Sequence, residues 1–527
     1  MSSDSLLARR PAAAASAGRQ RPRPVEALLL VLALAVSLLV VHAFAGRPYE
    51  DAAMLLRYAQ NMADGAGVVY NVGDHPVDGA TDFLFMVLVA VLRAAGVGLV
   101  AAARLLDVLG AVGTCLLVYV WGVRHTDAPR WVSASAGLLL AVGPAAFYTR
   151  AGFGAPFFGC TVALTAVAAH RLAAAPDRRA GVLFGSAALV MGLTRPEGVL
   201  IAAALAVAVA LTAPGARRDL LRGGAGVFVG LGLVYFLGRW AYFGQPLPNP
   251  YYKKGSGSLH PGGLLLSVQS IVGWLGPLLV VYALPLKDRR QEWRPVVFAV
   301  LPAGVFTAAW LLLSPETNYL GRFQYPVLVL AALELPAMWA ATRRAWRPNP
   351  RLARRAAAAG AAALLLSAVG LVRANVSTDY VNHNGNAEVG RALSRFPHRT
   401  LATTEAGLLP LASGWRSVDI WGLNDQHIAR TGRLDTAYLD QQRPTVVMMH
   451  VHPGDGRDGL RVAGYGQAWY DMCVTVRRYV KAHGYTAAAS YGNSDDVWEF
   501  WVDAEQPDAQ QIVSAIRAVQ YRPPDAG

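Results

Sequence analysis

The sequence is short of charge: 16% of its 527 residues are Asp, Glu, Lys or Arg, whereas 54% are hydrophobic. Globular soluble chains carry nearer a quarter charged residues, so a wholly aqueous protein is excluded. Cysteine is scarcer still. Cys115, Cys160 and Cys473 lie far apart, the first two inside apolar runs, which rules out a disulfide framework and any CxxC metal site. Acidic residues are thin in the first part of the chain. Residues 1–374 hold 34 Lys+Arg against 17 Asp+Glu, and residues 375–527 hold 14 against 17, so the net +14 divides into +17 and −3. The basic excess therefore belongs to loops between apolar runs, and nucleic acid loses its only support as a partner. No repeat relates the two halves, as many transporter folds would show.

What the chain has is long apolar segments, beginning with ALLLVLALAVSLLVVHAF at 27–44. A bilayer-crossing helix needs roughly 20 such residues. Segments near 25–46, 104–122, 131–148, 154–171, 180–195, 197–213, 223–243, 264–286, 295–313, 323–342 and 356–373 qualify or nearly qualify, predicting a polytopic α-helical membrane protein with about 11 transmembrane helices. Arg9, Arg10, Arg19, Arg21 and Arg23 precede the first run and imitate a signal peptide. Its length, and the lack of a small-residue cleavage pattern before Arg47, predict a retained anchor instead. The loops at 1–24, 123–131, 171–180, 213–222, 287–294 and 343–355 carry 23 Lys+Arg; the alternate loops carry seven, at Arg47, Arg57, Arg150, Arg195, Lys253, Lys254 and Arg322. That asymmetry predicts a multi-pass cell-membrane protein with a cytoplasmic N-terminus and an extracytoplasmic tail. Residues 82–98, which carry Arg93, would reverse every later loop if they crossed, and are read as a re-entrant or juxtamembrane helix.

From about 375 the apolar runs shorten. EVGRALSRF (388–396) and AWYDMCVTVRRYVKAH (468–483) have helical spacing, while TVVMMH (445–450) and DVWEFWVD (496–503) read as strands. The expected plan is a basic cytoplasmic tail at 1–24, a transmembrane domain at 25–374 with its first extracytoplasmic loop at 47–82, and an extracytoplasmic α/β domain at 375–527.

The most patterned stretch follows the first span: RPYEDAAMLLRYAQNMADGAGVVYNVGDHPVDGATDFLF, 47–85. Glu50 and Asp51 fall in the first turn of a short helix, where negative charge is favoured. The residues allow two readings: helix capping, or a general base that deprotonates an acceptor hydroxyl. In YFGQPLPNPYYKKG (242–255), prolines fix an extended course, Asn249 can donate to a sugar or phosphate oxygen, and Lys253 or Lys254 can meet a phosphate. A solvated basic loop is the alternative. In NYLGRFQYPVLVL (318–330), Arg322 stands at a membrane mouth, for phosphate binding or interfacial anchoring. Arg195 and Glu197 in LTRPEG either pair with each other or leave Arg195 for a lipid phosphate. His450 and His452 stand two apart on a strand and lack further identifiable ligands, so they are read as structural.

These stretches together resemble the GT-C superfamily of polyprenyl-phosphate-sugar-dependent glycosyltransferases, in particular the actinobacterial terminal arabinofuranosyltransferases. The resemblance is carried by Glu50-Asp51, Arg57-Tyr58-Ala59, Asn61, Gly65 to Gly73, and Val77-Asp78-Gly79-Ala80-Thr81-Asp82-Phe83. It continues in the Pro-Leu-Pro-Asn loop, LTRPEG, the Arg322-Phe323 segment and TTEAGLLPLASGWRSVDIWGLNDQHIAR at 403–430. The chain departs from the family at Glu50, Asp78, Asp82 and Gly154, the last replacing a glutamate, and it lacks an Asp motif before Arg322. The resemblance implies a GT-C fold and an inverting transfer of a sugar, arabinofuranose favoured, from a polyprenyl-phosphate donor to a cell-envelope glycan on the extracytoplasmic face. Its alternatives are mannosyl transfer, an inactive glycan-binding protein, and a lipid-linked-sugar transporter. It implies Asp51 as base with Glu50 second, and Arg57, Tyr58, Arg195, Lys253, Lys254 and Arg322 around the donor phosphate. Asp78, Asn249, Tyr251, Glu405 and Trp421 are the expected sugar or acceptor contacts. No cofactor or metal ligand set is assigned, and a divalent metal requirement stays open.

Overall fold

The computed structural model describes residues 48–142, 144–255, 259–269, 293–313, 318–345, 385–463 and 466–519, with a few positions between 23 and 35 and isolated positions elsewhere. The spans expected near 25–46 and 356–373, and most of that at 264–286, lie outside the described residues, as does the tail at 1–22.

The first half is helical. Helix α1 (Glu50–Ala63) and α2 (Phe83–Ala94) form the loop region after the first apolar run. Then come α3 (Leu99–His125), α4 (Arg130–Val142), α5 (Pro144–Ala151), α6 (Ala155–Ala174), α7 (Arg178–Thr194), α8 (Gly198–Thr212) and α9 (Gly226–Phe243), followed by α10 (Arg294–Ala309) and α11 (Tyr325–Ala345). Five helices among the described residues, Leu99–His125, Arg130–Ala151, Ala155–Ala174, Pro214–Phe243 and Gly321–Ala341, are long and apolar enough to cross a membrane. At 1.5 Å per residue, the 27 residues of α3 reach about 40 Å. Arg124 and His125 end α3, where cations favour the negative end of the helix dipole, and the Asp177 carboxylate caps α7 by accepting from the Ala180 N–H at 2.6 Å. Helix α2 has 12 residues, short of the roughly 20 that a crossing needs.

Burial separates core helices from lipid-facing ones. Phe158, Val162, Ala166 and Ala169 of α6 pack with Cys115, Val118 and Tyr119 of α3 and with Val327 to Leu333 of α11 in the largest core. Glu334 of α11 is buried and hydrogen-bonded to His170 of α6, since an ionisable group at such depth persists only with a partner. Helix α9 instead leaves Val229, Leu231, Val234 and Leu237 more than half exposed. A surface this apolar along a whole helix is stable against acyl chains and not against water.

The C-terminal domain consists of α12 (Asn386–Leu393), β1 (Thr400–Thr403), α13 (Leu408–Ser413), β2 (Arg416–Asp419), α14 (Gln426–Thr431), α15 (Thr436–Gln442), β3 (Val446–Val451), α16 (Gly466–Ala482), β4 (Thr486–Gly492), β5 (Val497–Val502) and α17 (Ala509–Arg517). Its sheet has the order β2-β1-β3-β5-β4, parallel across the first three strands and antiparallel at β3-β5 and β5-β4. Strand β3 is central and buried throughout, which is why VVMMHV reads as one near-continuous apolar run. Val447 and Met449 on one face meet Trp469, Cys473 and Val476 of α16. Val446 and Met448 on the other meet Leu393 of α12 and Ile512 and Ile516 of α17.

Candidate functional site

Helix α1 carries the site and also the seam to the C-terminal domain, because successive helix positions point about 100° apart. Asp51 faces a cavity of about 270 Å³ that is walled by α1, the loop to α2, the α5–α6 turn, the α7–α8 break, the Pro248-Asn249-Pro250 loop and the segment before α11. Its charged lining is Asp51, Asp82, Arg195, Glu197, Lys254 and Arg322, three carboxylates against three cations. The Arg322 guanidinium donates to Asp51 Oδ2 at 2.5 Å and lies 3.9 Å above the Phe153 ring and 4.9 Å above Phe323. Arg195 donates to Asp82 at 3.2 Å and to Glu197 at 3.2 Å, with its guanidinium 5.5 Å from Phe323. Phe323 is thus a shared platform for two guanidiniums, and it stacks on Trp310 at 4.9 Å. Such stacking holds planar guanidinium groups in place.

The cavity is amphipathic. Leu247, Leu312, Leu313, Trp310 and Leu423 make an apolar wall, and Leu247 and Leu312 are also exposed to the surroundings. Gly154 closes the α5–α6 turn with φ 67°, and a Cβ there would sit 3.0 Å from the Phe85 ring. The left-handed backbone and the close Phe85 ring both favour glycine at this position.

The chain superposes on ArnT from Cupriavidus metallidurans solved bound to undecaprenyl phosphate, with a TM-score of 0.57, 14% identity, and coverage of 90% of this chain and 97% of that one. This chain has the GT-C fold. ArnT from the same organism in the apo state gives a TM-score of 0.57 at 14% identity, covering 90% of this chain and 98% of that one. The mycobacterial arabinofuranosyltransferase AftD gives 0.44 at 15% identity, covering 92% of this chain and 40% of that one. A family profile described as a domain of unknown function (DUF8728) matches residues 374–503. No curated protein matches the sequence.

Of the residues expected at a GT-C site, Asp51, Arg195, Tyr251, Lys254 and Arg322 line this one cavity. The others lie elsewhere, each for a visible reason. Arg57 is buried, and its donors go to the carbonyls of Tyr70 at 2.7 Å, Trp415 at 2.7 Å and Pro410, and to Asn71 Oδ1 at 2.9 Å. It staples the C-terminal domain to the first loop and has no fork left for a phosphate. Tyr58 is equally buried, donating to the Val77 carbonyl at 3.0 Å beside Asn424. Glu50 turns from the cavity and accepts from the N–H groups of Gly407 at 2.6 Å and Leu408 at 2.9 Å. Asp78 is buried against Arg239. Asn249 is fully buried and donates to the carbonyls of Gly422 and Leu423 at 2.9 and 3.0 Å. Lys253 sits 4.1 Å over the Trp421 ring, which also packs on Trp469 at 5.0 Å. Glu405 accepts from His450 Nδ1 at 2.9 Å.

Asp82, Phe153 and Phe323 are site residues that sequence reasoning missed. Asp82 pairs with an arginine 113 positions away, a contact without a local signal. Phe323 follows Arg322 directly and had one: an aromatic beside an arginine at a membrane mouth.

Proposed function

We propose that the protein is an inverting glycosyltransferase of the cell membrane that moves a sugar from a polyprenyl-phosphate donor to an envelope glycan on the extracytoplasmic face. The observation carrying this reading is the cavity in which Asp51 meets Arg195, Lys254 and Arg322 beside an apolar wall. A lipid phosphate needs that combination: cations for its head and an apolar path for its tail. ArnT, whose fold this chain shares, was solved holding undecaprenyl phosphate, which supports the donor class. The loop charge asymmetry, 23 against seven, supports a cytoplasmic N-terminus, about 11 spans and an extracytoplasmic C-terminal domain. The motif resemblance favours arabinofuranose as the sugar.

In this scheme the acceptor hydroxyl oxygen attacks the anomeric carbon from the face opposite the phosphate. The anomeric C–O bond breaks with its electron pair passing to the phosphate oxygen, and the hydroxyl proton passes to Asp51. Arg322, Lys254 and Arg195 stabilise the charge gathered on the departing phosphate. In the resting state Arg322 is held by Asp51. An arriving phosphate competes for that guanidinium and exposes the carboxylate as base only when donor is present.

The test uses the full chain in sealed proteoliposomes with radiolabelled polyprenyl-phosphoryl arabinose or mannose and a matching glycan acceptor. Label in the glycan, with inverted anomeric configuration, is expected. Label that crosses a sealed vesicle membrane without entering glycan would overturn transfer in favour of transport.

A further inference from the structure

A second constellation lies outside the cavity. His450 on β3 and His452 just beyond that strand are two residues apart, so both side chains stand on one face, with ring centroids 5.3 Å apart. The turn between β4 and β5 brings Asp496 to the same place. Its carboxylate contacts His450 Nε2 and lies 3.4 Å from His452 Nδ1. One nitrogen from each imidazole and one Asp496 oxygen all lie within 4.8 Å of one another. Ligand atoms around a tetrahedral zinc stand roughly 3.3 Å apart, so small side-chain rotations close this set on an ion.

The surroundings are those of a held ligand set. Glu405 accepts from His450 Nδ1 at 2.9 Å, which fixes the ring with Nε2 turned toward Asp496. A carboxylate behind a histidine is the usual support of a metal-ligating imidazole. Trp498 stacks on the His450 ring at 4.4 Å and 16°, and the Asp495 carbonyl lies 3.0 Å from His452 Nδ1. His450 is buried, whereas the Asp496 side chain is 30% exposed, leaving a path for an ion and room for water as a further ligand.

We propose that His450, His452 and Asp496 bind one divalent transition-metal ion, zinc by the nitrogen-rich donor set, with water completing the coordination. The ion would tie the end of β3 to the β4–β5 turn. Glu405 stands two residues before Gly407, whose N–H donates to Glu50 of helix α1, so the ion would also sit close behind the seam with α1.

The test takes the full chain in detergent, with any affinity tag removed, stripped by a chelator and then titrated with zinc. Bound metal after gel filtration is measured by mass spectrometry, and thermal unfolding is followed in parallel. One zinc per chain and a raised Tm are expected for the parent. His452→Gln and Asp496→Asn alter partly exposed side chains, and each is expected to abolish both signals. Glu405→Gln is expected to weaken zinc binding by about 10- to 100-fold. Parent protein that binds no zinc, or variants that bind it as well as the parent does, would overturn the proposal.

Discussion

Asp51→Asn is expected to slow sugar transfer by about 10²–10⁴-fold, the usual share of a positioned general base. The substitution keeps the shape of the side chain and an oxygen acceptor toward Arg322, so the cavity should survive. What it removes is the group that takes the acceptor's proton. The loss should appear in kcat. Donor binding should hold or tighten, because Arg322 is no longer drawn toward a carboxylate 2.5 Å away. Arg322→Gln separates the two roles: it removes a cation from the phosphate and leaves the base, so the donor KM should rise. Steady-state transfer with varied donor distinguishes these patterns. Asp51→Asn protein that transfers at the parental rate would show that another group is the base.

The second large effect is expected at the seam between the first loop and the C-terminal domain. A Cβ added at Gly407 would lie 1.8 Å from the Glu50 carbonyl oxygen and 2.9 Å from its Oε1. Backbone cannot yield as a flexible side chain can. Gly407→Ala must therefore push α13 off α1, losing the two N–H bonds that Glu50 accepts. Overpacking and two lost hydrogen bonds to a buried group together amount to about 3 kcal/mol or more. The full chain should unfold at lower temperature, and proteolysis of the C-terminal domain should accelerate.

The partner substitution works in the other direction. Burial, then the nearby charge of Glu405, push the Glu50 carboxyl well above the ordinary carboxylate range, against the pull of its two backbone donors. A folded-state pKa raised above the unfolded value contributes stability that is complete at low pH and is lost as pH rises through the folded pKa. Glu50→Gln keeps an acceptor for Gly407 and Leu408 and has no charge to bury. It should match the parent in Tm near pH 4 and equal or exceed it at pH 7. A variant less stable at pH 7 than at pH 4, relative to the parent, would contradict this reading of the seam.

These two regions show where the sequence was readable. The apolar period of α3, α6 and α11 was visible because each helix is long and faces lipid or core along most of its length. Strand β3 stood out as an apolar run because both of its faces are covered. By contrast, β1 and β2 are four residues each and carry little periodicity of their own. In the site, Asp51 and Arg322 were legible through motifs although 271 positions separate them. Arg57 and Asn249 belong to equally marked motifs yet serve the packing of the C-terminal domain. A motif records that a position is constrained, and burial decides whether a ligand or the backbone constrains it. The Asp82–Arg195 pair and the Asp496 approach to His450 depend on tertiary pairing, which local pattern does not contain.

The central claim is that a lipid phosphate is held in the cavity beside Asp51. Its most direct test is a cryo-electron microscopy map of the full chain in nanodiscs with undecaprenyl phosphate. Phosphate density within hydrogen-bond distance of Arg322 and Lys254 is expected, with the prenyl chain leaving along Leu247 and Leu312. Phosphate density bound elsewhere on the protein, with the Asp51–Arg322 cavity empty, would contradict it.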